Sequence, residues 1–139
     1  HAVLAGGGAL HRTDLATTVM VKDNHWQALR ASGRSLREAL AEAAASGITG
    51  LQVEVESVGQ LDEAVAAGAT RLLIDNQTPE TVRAWATRAR TARPTIEIEA
   101  TGGITLATIG AYADAGADYV STGALTHSVV AADLGLEIR

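Results

Sequence analysis

Short apolar runs alternate with longer amphipathic stretches along the chain, a pattern typical of β/α units. The strand candidates are "TTVMVK" (17–22), "LQVEVE" (51–56), "RLLID" (71–75), "TIEIEA" (95–100) and "ADYVST" (117–122), and the helix candidates are 35–46, 57–67, 79–91 and 106–115. We also expect "HAVLAGG" (1–7) to add a sixth strand. Six strands are fewer than a closed barrel has. The pattern therefore predicts an α/β fold: a parallel (β/α) barrel, partial or open.

Residues that favour helix ends bound these segments. The predicted starts carry Ser35 with Glu38 and Ser57 with Gln60 as capping boxes, and Pro79 after Thr78; the predicted ends carry Gly47, Gly68 and Gly116. These positions fix the helices to within a few residues.

Carboxylates alternate with apolar residues in two of the strand candidates. Glu54 and Glu56 alternate with valines, and Glu97 and Glu99 alternate with isoleucines. Strands of a parallel sheet are normally covered on both faces and are then apolar throughout. We expect the apolar rows to pack against helices and the carboxylates to point into a barrel lumen or crevice. The alternative is an edge strand with one solvated face.

Composition limits the classes of partner. The 139 residues are 47% hydrophobic and 3% aromatic, contain no cysteine, and carry a net charge of -5. The acidic balance argues against binding to nucleic acid or to an anionic membrane surface. No apolar run has the length of a membrane span, and disulfides and thiolate metal sites are excluded. We expect a globular, cytoplasmic protein; this composition still allows a small anionic molecule to bind through a few placed cations.

Two carboxylates lie at neighbouring predicted strand ends, where ligands bind in parallel α/β folds. Glu54 is near the end of one strand, and Asp75 with Asn76 ends the next. Carboxylate oxygens, directly or through water, suit a hard cation such as Mg²⁺. The alternative for Asp75 is a helix cap.

Glycine turns follow the last two predicted strands. "ATGGIT" follows one predicted strand and precedes a predicted helix, so we expect Thr101, Gly102 and Gly103 to lie at a helix N-terminus, and "STGALT" (121–126) repeats the arrangement around Gly123. Backbone N–H groups in such turns bind phosphate in many barrels. Two tight turns without a ligand are the alternative.

Cationic and donor groups gather near the start of the chain. His11 and Arg12 follow "GGG", and Lys22, the only lysine, precedes Asn24 and His25. An ammonium and a guanidinium suit carboxylates. Each could equally be a surface charge.

The segments "GGGALHRTDL", "VKDNH", "VEVES", "LLIDN", "EATGGIT" and "GADYVSTGALTHS" occur in this order over the whole chain. With them, the chain resembles the C-terminal barrel portion of quinolinate phosphoribosyltransferase, an enzyme family of NAD biosynthesis. The resemblance implies Mg²⁺ as cofactor and a homodimer or higher homo-oligomer in the full-length enzyme. The resemblance implies transfer of phosphoribose from phosphoribosyl pyrophosphate to quinolinate with decarboxylation, giving nicotinate mononucleotide, carbon dioxide and pyrophosphate.

The resemblance also implies roles for individual residues. His11, Arg12 and Lys22 would hold the quinolinate carboxylates, Glu54 and Asp75 would serve Mg²⁺ and the ribose side of phosphoribosyl pyrophosphate, and Thr101, Gly102 and Gly123 would lie at the 5-phosphate. Asn24, His25, Glu99 and His127 would support these residues.

The sequence departs from the family at Leu10, where an Asn is usual, at Thr17, where an Asp is usual, and at Thr101, where the usual Ser is replaced by another hydroxyl. We expect residues 1–139 to be the C-terminal part of a two-domain enzyme whose N-terminal domain is absent, and this chain alone to be inactive. The remaining alternatives are another phosphate-binding barrel, similar to thiamin-phosphate synthase, and a truncated barrel that only binds phosphate or dimerises.

Overall fold

The computed structural model describes residues 2–10, 18–131 and 133–138. Its strands form one five-stranded parallel sheet in the order β1-β2-β3-β4-β5. The strands are β1 (Thr18–Val21), β2 (Gly50–Val55), β3 (Arg71–Asp75), β4 (Glu97–Thr101) and β5 (Tyr119–Val120). All five strands predicted between residues 17 and 122 are therefore present, within a few residues of their expected bounds.

Helices connect the strands. They are α1 (Ala2–Ala5), α2 (Asp23–Ser32), α3 (Leu36–Ala45), α4 (Val58–Ala67), α5 (Pro79–Ala92) and α6 (Ile109–Asp114), and a 3₁₀ turn follows at Gly123–Leu125. The expected sixth strand at 1–7 is wrong, because Ala2–Ala5 is helical. Helix α2 was not predicted, and α6 starts at Ile109 rather than at 106.

The strand order identifies the architecture. Each strand pairs with the next strand along the chain, and every pairing is parallel. A doubly wound sheet reverses its strand order at a switch point, whereas a barrel adds its strands in sequence. The structure therefore confirms a partial, open β/α barrel.

The predicted helix ends agree with the structure, with one change in detail. Ser35 Oγ accepts from the Glu38 N–H and the Glu38 carboxylate accepts from the Ser35 N–H, as a capping box requires. Ser57 caps α4 through the Gln60 N–H, but Gln60 Oε1 accepts from the N–H of Glu56. The Gly47, Gly68 and Gly116 backbones have the left-handed conformation expected after a helix.

The sheet has an apolar outer face and a polar inner face. On the outer face Val53, Ile74 and Ile98 are fully buried in the core formed with the helices. The intervening residues lie on the inner face, where the register aligns Glu54 with Leu73 and Glu99. Strands β2 and β4 are internal, so the edge-strand explanation of their carboxylates is wrong.

Candidate functional site

Lys22 and Glu54 form an ion pair at the carboxyl ends of β1 and β2. Lys22 Nζ lies 3.0 Å from Glu54 Oε2, and the Glu54 side chain is only 12% exposed. The indole N–H of Trp26, a buried residue of α2, donates to the Glu54 carbonyl at 2.9 Å. Helix α2 is thereby fixed beside the end of β2, and the ion pair is held at the rim of the sheet.

The first turn of α2 carries two further predicted residues. The backbone N–H of Lys22 donates to His25 Nδ1 at 3.0 Å. Because Nδ1 accepts, the proton of a neutral His25 ring lies on Nε2. Asn24 is exposed in the same turn. His11, Arg12 and Thr17 lie outside the described residues.

Asp75 ends β3 on the same inner face, and its Cα is paired in register with Thr101 at the end of β4. Asn76 Nδ2 donates to Asp75 Oδ2 at 2.6 Å, and the Asn76 backbone N–H donates to the Thr101 carbonyl at 3.0 Å. Asn76 adopts a left-handed backbone, with φ of 52°. These bonds join the "LLIDN" strand end to the first glycine turn.

Gly102 is required where these two segments meet. Its φ is +90°, and a Cβ at this position would overlap Asn76 Oδ1. A side chain is therefore excluded by both the backbone conformation and the contact.

The two glycine turns line one cleft of about 520 Å³, called the turn cleft below. It contains the predicted Thr101, Gly102 and Gly123. The Thr122 hydroxyl donates to the Ile104 carbonyl at 2.6 Å, which ties the second turn to the first. His127 N–H donates to the Gly123 carbonyl at 2.8 Å, so His127 lies beside this turn. Both glycine turns therefore open onto the same cleft.

One detail of the glycine turns differs from the sequence expectation. "ATGG" does not open directly into a helix, because α6 begins at Ile109. The second turn leads into the 3₁₀ turn at Gly123–Leu125, capped by Thr122. The polar groups of the first turn are therefore backbone and hydroxyl groups of an irregular loop.

Glu99 lies deeper on the inner face, and its side chain is 1% exposed. It accepts from Arg71 Nη1 at 3.2 Å and from Ser121 Oγ at 2.5 Å. No sequence pattern pointed to Arg71, to Ser121 or to the structural role of Asn76. A cleft of about 590 Å³ runs along this face toward the amino ends of the strands. Gln52 lines it, and the Gln52 Oε1 atom finds no hydrogen-bond donor in the part of the chain that the structure describes.

Within residues 2–10, 18–131 and 133–138, no cluster of three or more His, Cys, Asp or Glu residues is placed to hold a metal ion. No helix described by the structure has both the length and the apolar character of a membrane span.

The fold and the site together define a partial parallel β/α barrel with its polar groups at the carboxyl ends of the strands. The sequence profile of the family described as "Quinolinate phosphoribosyl transferase, C-terminal domain" matches residues 1–137. The chain belongs to this family. The family named by the sequence motifs is thus confirmed, in preference to a barrel similar to thiamin-phosphate synthase.

Two named relatives support the same family assignment. The chain is 42% identical over 140 residues to a Bacillus subtilis protein named "Probable nicotinate-nucleotide pyrophosphorylase (carboxylating)", covering 99% of this chain and 46% of that protein. It is 36% identical over 138 residues to the human nicotinate-nucleotide pyrophosphorylase (carboxylating), with coverage of 99% and 46%.

A solved structure has the same fold. The nicotinate-nucleotide pyrophosphorylase from Francisella tularensis superimposes with a TM-score of 0.75 at 30% identity, covering 90% of this chain and 42% of that one. The chain thus spans slightly less than half the length of these relatives.

Proposed function

We propose that this chain supplies one side of an active site that transfers phosphoribose from phosphoribosyl pyrophosphate to quinolinate, with loss of carbon dioxide. The observation that supports it most is the placement, along one edge of the sheet, of the Lys22–Glu54 pair, Asp75 and the turn cleft in a chain of this family. The products are nicotinate mononucleotide, carbon dioxide and pyrophosphate.

The turn cleft is the proposed site of the 5-phosphate. Thr101 offers a hydroxyl, and Gly102 and Gly123 allow close approach to their backbone N–H groups. Because Gly102 is held against Asn76, the first turn is preorganised rather than free to collapse. Binding there would place the ribose toward the ends of β3 and β4.

Lys22 is the proposed cation for a quinolinate carboxylate. Its side chain is 48% exposed although it contacts Glu54, so part of the ammonium faces solvent and can accept a second anionic partner. His11 and Arg12 are proposed to share this role. Asn24, His25 and His127 are proposed to support the site through their positions next to Lys22 and Gly123.

Magnesium fits the carboxylates at this edge. Mg²⁺ is usually held by one or two carboxylates together with substrate phosphates, rather than by a protein cage. Glu54 and Asp75 occupy the ends of adjacent strands on one face, in keeping with such a site. We propose that these two residues hold the ion directly or through water. When bound, Mg²⁺ would neutralise charge on the pyrophosphate leaving group.

The proposed reaction requires no protein nucleophile. The quinolinate ring nitrogen attacks ribose C1 with its lone pair, and the C1–O bond breaks as pyrophosphate departs with the bonding electrons. The C2–carboxylate bond then breaks, carbon dioxide leaves, and the electron pair left on the ring carbon is stabilised by the pyridinium and takes a proton from water. Holding the nitrogen and C1 in line lowers the barrier, and the Glu54 carboxylate favours positive charge developing on the sugar.

The substrates carry more negative charge than Lys22, His11 and Arg12 can neutralise. We therefore propose that further cations come from polypeptide beyond these 139 residues, including a second subunit of a homodimer. In this arrangement each site is completed across the subunit interface.

Incubation of the full-length protein with quinolinate, phosphoribosyl pyrophosphate and Mg²⁺ tests the proposal. Chromatography should show nicotinate mononucleotide formed in step with pyrophosphate and carbon dioxide. Nicotinate in place of quinolinate is the matched control, since it lacks the second carboxylate and cannot release carbon dioxide. No product with quinolinate, or product without phosphoribosyl pyrophosphate, would refute the function.

A further inference from the structure

Arg71 joins several groups on the inner face, well below the strand ends that carry the proposed site. Its Nε and Nη2 lie 2.9 and 2.8 Å from Glu97 Oε2, and its Nη1 lies 3.2 Å from Glu99 Oε2. The guanidinium carbon lies 4.0 Å from the centroid of the Tyr119 ring. The Arg71 side chain is only 16% exposed, so these contacts fix it in one place.

Glu99 links Arg71 to a residue nearer the carboxyl ends of the strands. Its Oε2 accepts a hydrogen bond from Arg71 Nη1, and its Oε1 accepts one from Ser121 Oγ at 2.5 Å. Ser121 follows β5 directly and lines the turn cleft next to Gly123. The side chains of Arg71, Glu99 and Ser121, each in contact with the next, therefore connect the amino end of β3 to the second glycine turn.

The buried carboxylate of Glu99 depends on the positive charge of Arg71. A carboxylate as buried as Glu99 is unfavourable unless a cation and hydrogen-bond donors are close to it. Burial acts to lower the pKa of Arg71, but hydrogen bonds and charges from Glu97 and Glu99 more than offset it, so the pKa is above its usual value. The guanidinium is therefore a permanent counter-charge, and its loss would leave a buried carboxylate without it.

We propose that Arg71 is a positioning residue for phosphoribosyl pyrophosphate, acting through Glu99 and Ser121 to hold the second glycine turn in its binding conformation. This inference rests on the proposed function of the turn cleft. Arg71 itself lies on the inner-face cleft and not on the turn cleft, so it affects the substrate through its neighbours.

The test uses the full-length protein with four changes: Arg71→Met, Arg71→Lys, Glu99→Gln, and Arg71→Met combined with Glu99→Gln. Arg88→Met is the matched control, because Arg88 forms an ion pair with Asp62 at 2.6 and 2.7 Å between exposed side chains of α4 and α5. Both Michaelis constants, kcat and the direct binding of phosphoribosyl pyrophosphate are measured.

Arg71→Met should raise the KM and Kd for phosphoribosyl pyrophosphate about tenfold or more, as the loss of one charge-assisted hydrogen bond between the displaced glycine turn and the phosphate implies, and change the quinolinate KM much less. Arg71→Lys should restore most of the affinity. Since Gln at position 99 can accept from Ser121 without a counter-charge, the double variant should be no worse than Glu99→Gln alone. Arg88→Met should match the wild type.

Additive effects in the double variant, or equal changes in both Michaelis constants, would overturn the inference. If Arg71→Met does not fold, Ser121→Ala decides the question, because it removes the upper contact while leaving the buried ion pair. It should reproduce the loss of phosphoribosyl pyrophosphate affinity, and wild-type affinity there would refute the inference. A wild-type protein that binds phosphoribosyl pyrophosphate without turnover refutes the proposed reaction only; one that neither binds nor turns over refutes both.

Discussion

Replacing Gly102 by alanine should destabilise the protein more than the same change at Gly103. Both glycines have positive φ, +90° and +60°, where an L-residue costs about 1–2 kcal/mol. A Cβ on Gly102 would overlap Asn76 Oδ1 and lie 2.9 Å from the Asn76 backbone nitrogen, whereas a Cβ on Gly103 has nothing within 4 Å. Gly103→Ala is therefore the matched control for backbone strain without a steric clash.

The expected difference in stability between Gly102→Ala and Gly103→Ala follows from the hydrogen bonds of Asn76. Displacing Asn76 weakens its bond to the Asp75 carboxylate, at 2.6 Å, and its backbone bond to Thr101, at 3.0 Å. A hydrogen bond to a charged group contributes about 1.5–3 kcal/mol and a neutral one about 0.5–1.5 kcal/mol. Because Asp75 is partly exposed and Asn76 is exposed, we expect the low end of both ranges, about 2 kcal/mol of extra destabilisation for Gly102→Ala.

Urea denaturation of the full-length variants measures this difference from the midpoints, provided the slopes agree. Asn76→Gly is a second control, since glycine also tolerates the left-handed backbone and removes the obstructing amide. In that background, the excess cost of Gly102→Ala over Gly103→Ala should shrink, because the side-chain clash is removed and only the 2.9 Å contact with the backbone nitrogen of residue 76 remains. Equal midpoints for the two alanine variants in the native background would refute the contact argument.

Three further predictions concern activity. In the full-length protein, Lys22→Ala should raise the quinolinate KM more than the phosphoribosyl pyrophosphate KM, because a charged hydrogen bond worth about 1.5–3 kcal/mol is lost; steady-state kinetics with each substrate varied decides it, and equal changes would contradict the assignment. Glu54→Gln and Asp75→Asn should each shift the Mg²⁺ titration of activity upward, and unchanged midpoints would remove both from the metal site. The isolated 139-residue chain should form no measurable nicotinate mononucleotide and bind phosphate weakly at most, since one missing donor costs about a hundredfold in rate; ordinary turnover would show that its own residues suffice.

Local sequence signals predicted most of the sheet and several site positions. The strand runs, the Ser35 cap and the glycines after the helices depend on residues close together in the chain, and each agrees with the structure. The convergence of the glycine turns was also predictable, because consecutive parallel strands place their carboxyl ends at one edge.

The sequence patterns of helices α1 and α2 were weaker than those of the other helices. In α2, only Trp26 of ten residues is buried, so the apolar periodicity that identifies a surface helix is almost missing. In α1, the four residues Ala2–Ala5 are too short a run to distinguish a helix from a strand. Neither segment therefore carries a local pattern that identifies it as a helix.

The role of Arg71 could not be predicted for a different reason. An arginine at the start of a strand is usually a solvated charge. Its importance depends on the register that aligns it with Glu97 and places it one layer below Glu99. Likewise, the fit of Gly102 against Asn76 joins two separate segments, and neither segment alone reveals it.

The outer face of the sheet stabilises the fold, and the inner face carries the charged groups of the proposed site. Val53, Ile74 and Ile98 are fully buried against the helices, so the outer face supplies the main hydrophobic stabilisation. The inner face can therefore carry charged groups, provided that each is compensated, as Lys22 compensates Glu54 and Arg71 compensates Glu99. Each of these pairs lies beside or below the proposed substrate site, and a change in one partner leaves a charge on the other. Substitutions on the inner face should consequently alter substrate binding through electrostatics, and those that remove Arg71 from the buried Glu99 should also lower stability.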